Sequence, residues 1–437
     1  MRALVREIWF LSRSRAALAA IAVLAVLASV AVAFGLAEVS RDRASIARVL
    51  ELQKAEDQAL VGYAADAGTF AYNAFFPTWD APSSLAFAAL GQRDIAPSVL
   101  RVRALALEAQ IYENEQTNPE LTLPGRFDLA FVAVYLAPLV LIVLLHDLWS
   151  GEREAGRLAA LQSTARSSSR LFIVRAAVRA TLTATALLVP FAVGAILENA
   201  AFIDALLFAA VVAGVVLFWT LTALLVARLG PRSPVNAALL AGLWFALTLV
   251  GPAAANLGIN AAVPVPEGAR LARENRDAVH GAWDLPRQAT LERFLTIYPE
   301  WRDTAPMTAP FHWKWYFAFQ HLGDVAVADL SRDYRAGVEQ REAASQAIGW
   351  LMPPVALQNA LHRIAETDLT AQLAYQDEVR AFHTELRCYY YPFLFNDLPF
   401  GPAEFENAPR FRDSEGERSA PQGTQDRPGC GGGPHSS

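Results

Sequence analysis

The chain has 437 residues, of which 54% are hydrophobic and only 18% charged, against about 25% charged in ordinary soluble domains. The deficit is concentrated in five long apolar runs, which excludes a plain soluble globular protein. The formal net charge of −6 averages unlike regions, and without a lysine-rich block nothing points to a nucleic-acid partner.

A helix rises about 1.5 Å per residue and the hydrocarbon core of a bilayer is about 30 Å thick, so a span needs roughly 20 apolar residues. Five stretches meet or approach this: Ala16–Val39, Asp128–His146, Ala176–Leu197, Ile203–Val226 and Val235–Ala255. The first follows a basic segment with Arg2, Arg6, Arg13 and Arg15 and contains Ala31-Val32-Ala33, as a cleaved signal peptide would. Its apolar run exceeds the roughly 7–15 residues of a signal core, so an uncleaved anchor is expected.

Arginine placement gives the expected orientation. Residues 1–15 carry four arginines before span 1. The segment 147–175 carries Arg153, Arg157, Arg166, Arg170 and Arg175, and the turn between spans 4 and 5 carries Arg228 and Arg232. The turn Glu198–Phe202 carries none. The three basic segments fall on one side, which should be cytoplasmic, in a multi-pass protein of the bacterial inner (plasma) membrane with its N-terminus inside. Arg41 and Arg43 go against the rule, but they open a long loop, where it is weaker.

Two large pieces, 40–127 and 256–411, then lie outside and are expected to form one composite, largely helical domain. Ile46, Val49 and Leu50 make an apolar stripe opposite Arg48, Glu51 and Lys54, marred by Gln53. Asp329–Trp350 is charged and helix-favouring. Val355–Tyr391 carries Leu357, Leu361, Ile364 and Leu369 at spacings of three to five, suiting one helix. Asn256–Pro266 and Trp301–Pro310 read as Pro- and Gly-broken connectors. The fold class expected is an all-α integral membrane protein with five transmembrane helices and a helical external domain.

The two cysteines, Cys388 and Cys430, are too few for a disulfide framework. The default expectation is two unpaired thiols, with one bridge open to them if both face an oxidising compartment. His312, His321, His362 and His383 have no metal-ligand spacing, so no metal site is expected, and no Gly-x-Ser-x-Gly elbow suggests a hydrolase. Charge is nearly absent within the spans, which argues against ion-coupled transport. Pro138 and Pro190 are expected to kink spans 2 and 3, and Trp219 and Trp244 to line helix interfaces.

Two segments carry the functional reading. The first is basic: Ser150-Gly151-Glu152-Arg153-Glu154-Ala155-Gly156-Arg157-Leu158-Ala159-Ala160-Leu161. Residues 152–162 can form a short amphipathic helix, with Leu158 and Leu161 on one face and Glu152, Arg153 and Arg157 around it, followed by a polar turn at Ser163–Ser169. Held between two spans, such a helix could transmit a push; an ordinary solvated loop is the competing reading. The second is Phe75-Phe76-Pro77-Thr78-Trp79-Asp80, continuing to Arg93-Asp94. It is too proline-broken for one helix, and forms either an outer contact surface or domain core.

The Ser-Gly-Glu-Arg-Glu-x-Gly-x-Leu pattern at Ser150–Leu158, placed after span 2, resembles that of ABC-2-type permeases. The Phe75–Ser84 string, Ala89–Asp94, Pro354–Gln358 and Tyr389–Pro392 are similar to a subfamily with a large extracytoplasmic domain of unknown function. The resemblance extends to about Phe411. It implies a transporter permease, usually an exporter, that pairs with a second permease chain and a separate ABC ATPase subunit. ATP and magnesium would be held by that partner and no cofactor by this chain, which has no Gly-x-x-x-x-Gly-Lys-Ser/Thr phosphate loop and is not expected to be an enzyme. By this analogy Gly151, Glu152, Arg153, Glu154, Gly156, Arg157, Leu158 and Leu161 dock the ATPase. Such permeases usually have six spans. Here residues 412–437 lack Val, Ile, Leu and aromatics and read as a disordered tail, as in a truncated or frame-shifted end that lost the sixth span. The alternative function is a membrane-anchored assembly or binding protein without transport.

Overall fold

The structure, a computed structural model, describes residues 2–113, 127–164, 168–230, 232–266, 268–307, 309 and 311–412. It is an all-α membrane protein, and among the described residues five helices are long and apolar enough to cross a bilayer. The N-terminal helix α1 (Arg2–Leu11) leads into α2 (Arg15–Val61), capped by the Ser14 side chain, which accepts from the Ala17 N–H. Span 1 is the first half of this 47-residue helix. The helix does not stop where its apolar run stops, because the polar continuation holds helix-forming residues with Arg41–Glu38 and Lys54–Glu51 pairs at i,i+3.

Span 2 (α5) comprises Leu129–Phe131, a π turn at Val132–Leu136 and Ala137–Leu145. Before it come α3 (Ala67–Asn73) and α4 (Glu108–Glu113). Span 3 is α8 (Ser168–Leu197), span 4 is α9 (Phe202–Leu229), and span 5 (α10) joins Ser233–Phe245, a π turn at Ala246–Val250 and Gly251–Ala262. Span 5 thus continues through Asn256–Ala262, which sequence had assigned to a connector. Asn199 ends the span 3 turn in the left-handed region (φ 53), a conformation asparagine tolerates. The bundle core joins Leu24, Ala28 and Ala31 of α2 to Leu141 and Leu145 of α5, Phe191 of α8, Phe208 and Trp219 of α9, and Leu240 of α10. Phe191 and Phe208 stack at 4.7 Å. Trp219 is buried, and the Trp244 indole donates to the Tyr135 carbonyl at 3.1 Å, so both tryptophans line interfaces as expected.

Among the described residues the large domain is mainly helical and carries one strand pair: β1 (Phe76–Trp79) runs antiparallel to β2 (Val99–Val102). Its remaining helices are α11 (Gly268–Gly281), α12 (Arg287–Ile297), α13 (Trp313–Gly349), α14 (Pro353–Ile364), α15 (Leu369–Phe395) and α16 (Pro402–Glu406). The single helix expected over Val355–Tyr391 is two, α14 and α15. The chain turns at Glu366 (φ 53), and Asp368 caps the second helix by accepting from the Ala371 N–H. A second core of aromatic residues, including Phe70, Phe76, Phe294, Phe317, Tyr390 and Phe395, fills this domain. Cys388 is disulfide-bonded, against the default expectation of a free thiol; Cys430 lies outside the described residues.

Domain and bundle meet at residues 83–90. A Cβ on Gly35 of span 1 would lie 1.9 Å from the Phe87 carbonyl oxygen, so only glycine permits this approach. Asp128 caps span 2 through the Phe131 N–H (2.7 Å) and with its other oxygen accepts the Leu90 N–H (2.8 Å).

Candidate functional site

The basic segment after span 2 is built around a turn. It forms α6 (Ser150–Glu154) and α7 (Leu158–Thr164) rather than one helix over 152–162. The break is Gly156, at φ +68, a backbone conformation that costs other residues roughly 1–2 kcal/mol. The Arg157 N–H still reaches the Glu152 carbonyl at 2.9 Å, so the two pieces remain one compact unit. The polar turn expected at Ser163–Ser169 falls partly outside the described residues, as does Arg166; the helix itself runs to Thr164.

Three sets of contacts tie this unit to the spans. Toward span 3 and the N-terminus, the Glu152 carboxylate accepts from Arg175 (2.8 Å) and Arg157 (2.8 Å). Arg175 and Arg179 both pair with Glu7 of α1, at 3.3 and 3.4 Å, and Arg179 also donates to the Leu144 carbonyl of span 2. Toward span 5, Glu154 accepts the Ser233 N–H (2.8 Å) and hydroxyl (3.0 Å). A carboxylate there satisfies an orphan donor at a helix N-terminus and complements its dipole. Beneath it, the buried Asn236 amide donates to the His146 carbonyl (3.1 Å) and to Ser150 Oγ (3.2 Å). Toward the span 4 end, Arg153 donates to the Gly230 carbonyl at 3.4 Å.

Each predicted residue has its place in this arrangement. Glu152 and Arg157 meet; Glu154 and Arg153 bridge to the span 4–5 turn; Gly156 makes the turn; the Gly151 N–H donates to the Asp147 carbonyl at 2.8 Å. Leu158 packs against the bundle core and Leu161 is half-buried. Arg157 remains 65% exposed, with Arg153, Ala155 and Gly156 also on the open face. The resulting object is a compact knob that follows span 2, holds spans 3 and 5 directly and reaches α1 through Arg175. Sequence reasoning missed Glu7, Ser233 and Asn236. The available signal was Arg179, an arginine inside an apolar span that needs a carboxylate.

The second predicted segment faces inward. Phe76 is 1% exposed, packed edge-to-face on Phe382 and Tyr390, and Trp79 packs edge-on against Phe411 at 5.2 Å. Phe75 is half-buried between the guanidinium groups of Arg101 and Arg103. Arg93 is buried and donates to the Asp80 carboxylate (2.6 Å) and carbonyl (2.8 Å), and more distantly to Asp42 of α2 (3.4 Å). Burial raises the Asp80 carboxyl above the usual carboxylate range, with Arg93 opposing it. The Asp94 side chain lies outside what is described. This segment is domain core that locks the domain onto the polar half of α2. Among the histidines, His321 bridges the Tyr298 and Tyr391 hydroxyls, at 2.8 and 2.9 Å.

The profile of a domain of unknown function, DUF3526, matches residues 269–413, from α11 to the end of the described chain. No curated protein and no solved structure matches the chain.

Proposed function

We propose that the chain is the membrane-spanning permease subunit of an ATP-driven transporter of the ABC-2 type, with ATP hydrolysed by a separate subunit bound at the knob α6–α7. The observation that carries this reading is the pairing of an open, basic outer face with an inner face tied to α1 and spans 2, 3 and 5 through Glu152, Glu154, Arg175, Arg179 and Glu7. Force applied to such a knob is delivered to several spans at once, whereas a topological loop needs no such ties. The Ser150–Leu158 pattern and the absence of a phosphate loop agree with a permease that borrows its ATPase.

Under this reading the knob is cytoplasmic, since the basic short loops share its side, and the aromatic domain faces outward from the plasma membrane. The bundle also leaves room for a second permease chain: 61% of the apolar window of span 2 is buried, but only 11% of that of span 5. Purification in mild detergent from native membranes tests the proposal. Co-purification of a Walker-A ATPase, lost on combining Glu152→Gln with Arg157→Ala, is expected. Recovery of partners of the large domain alone, with no ATPase, would favour an anchored assembly protein.

A further inference from the structure

The outer side of the two-stranded sheet carries charge that the domain core does not use. Phe76 and Val102 are buried in the aromatic core. Strand alternation, continued one residue beyond each strand, therefore sends Phe75, Arg101 and Arg103 to the opposite face. There the two guanidinium groups flank the Phe75 ring, 4.5 and 4.8 Å from its centroid, and that of Arg103 also lies 5.6 Å from the Tyr72 centroid. Arg101 pairs with Glu56 of α2. Arg103 has no carboxylate at ion-pair distance among the described residues. Its Nε is closed off without a hydrogen-bond partner, and its outer nitrogens make one long bond, to the Tyr72 carbonyl at 3.4 Å. A guanidinium stacked between rings has its faces taken and its N–H edge left over, and that edge is the one that grips a carboxylate or another oxyanion.

Aromatic rings continue from this point along the N-terminal end of α13. Tyr72 is 5.8 Å from Trp313 and 5.5 Å from Tyr316, and Tyr316 is 5.9 Å from Trp283. Trp313 is seated on α3, where a Cβ on Gly68 would come 1.9 Å from its ring. Trp283 and the neighbouring Phe311 are 51% and 44% exposed. Burial, and then the Tyr72 hydroxyl beside it, push the Tyr316 phenol up to about 12, so it keeps its proton as a donor. The strip also stands clear of the membrane. Glu56, which holds Arg101, lies on the continuous helix α2, 17 residues beyond Val39, where the apolar run of span 1 ends. That is roughly 25 Å along the helix. The headgroup layer is roughly 5–8 Å deep, so lipid phosphates do not reach these arginines.

We propose that this strip binds an anionic saccharide, its acid groups on Arg103 and Arg101 and its sugar rings along Tyr72, Trp313 and Trp283. A pyranose presents a flat C–H face to an aromatic ring and hydroxyls at its rim, and the strip offers ring faces with phenol and guanidinium groups between them. An acidic peptide would ask for backbone partners or alternating pockets. The inference concerns the large domain alone and does not rest on the ATPase reading.

The test is a titration of the full chain in detergent, followed by tryptophan fluorescence, with tetragalacturonate and with a heparin tetrasaccharide as carboxylated and sulfated probes. Cellotetraose is the neutral reference and hexaglutamate the peptide reference. At least one acidic saccharide should give a saturable change, with cellotetraose and hexaglutamate binding roughly tenfold or more weaker. Arg103→Gln should weaken the acidic saccharide by a similar factor at an unchanged melting temperature, and Trp283→Ala should remove part of the fluorescence change. Should Arg103→Gln fail to fold, the more exposed Arg101→Gln carries the same expectation. Absence of saturable binding by both acidic saccharides would overturn the proposal, as would binding that survives the arginine substitution. Equal binding of hexaglutamate would make the strip an acidic-peptide surface, and equal binding of cellotetraose would remove the role given to the arginines.

Discussion

The large domain and the knob both depend on charged side chains, but they use them differently. In the domain the central charges are buried among several partners. Asp324 accepts from the Leu107 and Glu108 N–H groups, Asn275 and Arg387, at 2.9, 3.1, 3.1 and 2.7 Å; Glu108 accepts twice from Arg380. In the knob the inner pair of Glu152 with Arg175 is closed, at 14% and 16% exposure, but the outer one is open on one side: Arg157 is 65% exposed. Buried pairs fix a fold, since a group deprived of its partner cannot turn to water. Half-open pairs contribute little to stability and leave charge available to a partner. The domain's charges are thus structural and the knob's are both structural and presentational, a division that substitution can break or sharpen.

The largest effect is expected at Arg387. It donates to Asp324 and to the Leu105 carbonyl (2.8 Å) from inside the aromatic core. Arg387→Met strands the Asp324 carboxylate, and removing one partner of such a pair costs about 3–5 kcal/mol. Thermal unfolding of the purified protein should show the domain transition sharply lowered or lost, with the spans still helical by circular dichroism. An unchanged transition would mean that Asp324 is satisfied by its other three donors.

Next in size is a pH effect from the same core. Burial, with Arg387 beside it, pushes the His383 imidazole well below its ordinary range, and its Nε2 lies 2.7 Å from the Leu105 carbonyl. In the unfolded chain the ring protonates near pH 6.5. Below that pH the unfolded state binds a proton that the folded state refuses, so stability falls as pH drops from about 6.5 toward the lowered folded value, by at most about 1.4 kcal/mol per pH unit. The melting temperature should decline over pH 6.5 to 5, and His383→Gln should flatten that decline; an equal slope in the variant would assign it to other groups.

These residues also show what a sequence can and cannot disclose. The spans were legible because hydrocarbon thickness imposes a length and an apolarity that nothing else in the chain imitates. The Ser150–Leu158 segment was legible as a unit, and Gly156 could have been read as its break. Asp324 and Arg387 are 63 residues apart on different helices, and pairing at that separation leaves no periodic trace. The same holds for Glu7 with Arg175. The split at Glu366 has neither Gly nor Pro to announce it.

Within the knob, Gly156→Ala should cost roughly 1 kcal/mol through its left-handed backbone. A Cβ there meets nothing within 4 Å, so the loss is conformational rather than steric. Melting of the whole protein should hardly register it, but hydrogen exchange over residues 150–164 should quicken. If exchange is unchanged, the turn is held by its ties to Arg175 and Ser233 and not by the glycine.

The smallest expected effect on stability is also the most informative about function. Arg157→Ala removes the open member of a pair whose inner member, Glu152, keeps Arg175 at 2.8 Å. Exposed pairs contribute about 0–1 kcal/mol, so the melting temperature should stay within a degree or two of the parent, about what such a change produces in a chain of this size. If the knob is the ATPase dock, the same substitution should weaken recovery of the ATPase in a detergent pull-down, and Arg157→Lys, which keeps the charge, should restore part of it. Loss of partner with unchanged melting separates presentation from structure. If Arg157→Ala instead destabilises the protein as Arg387→Met does, the two regions use charge alike, and the open face of the knob would have to be read as part of the fold.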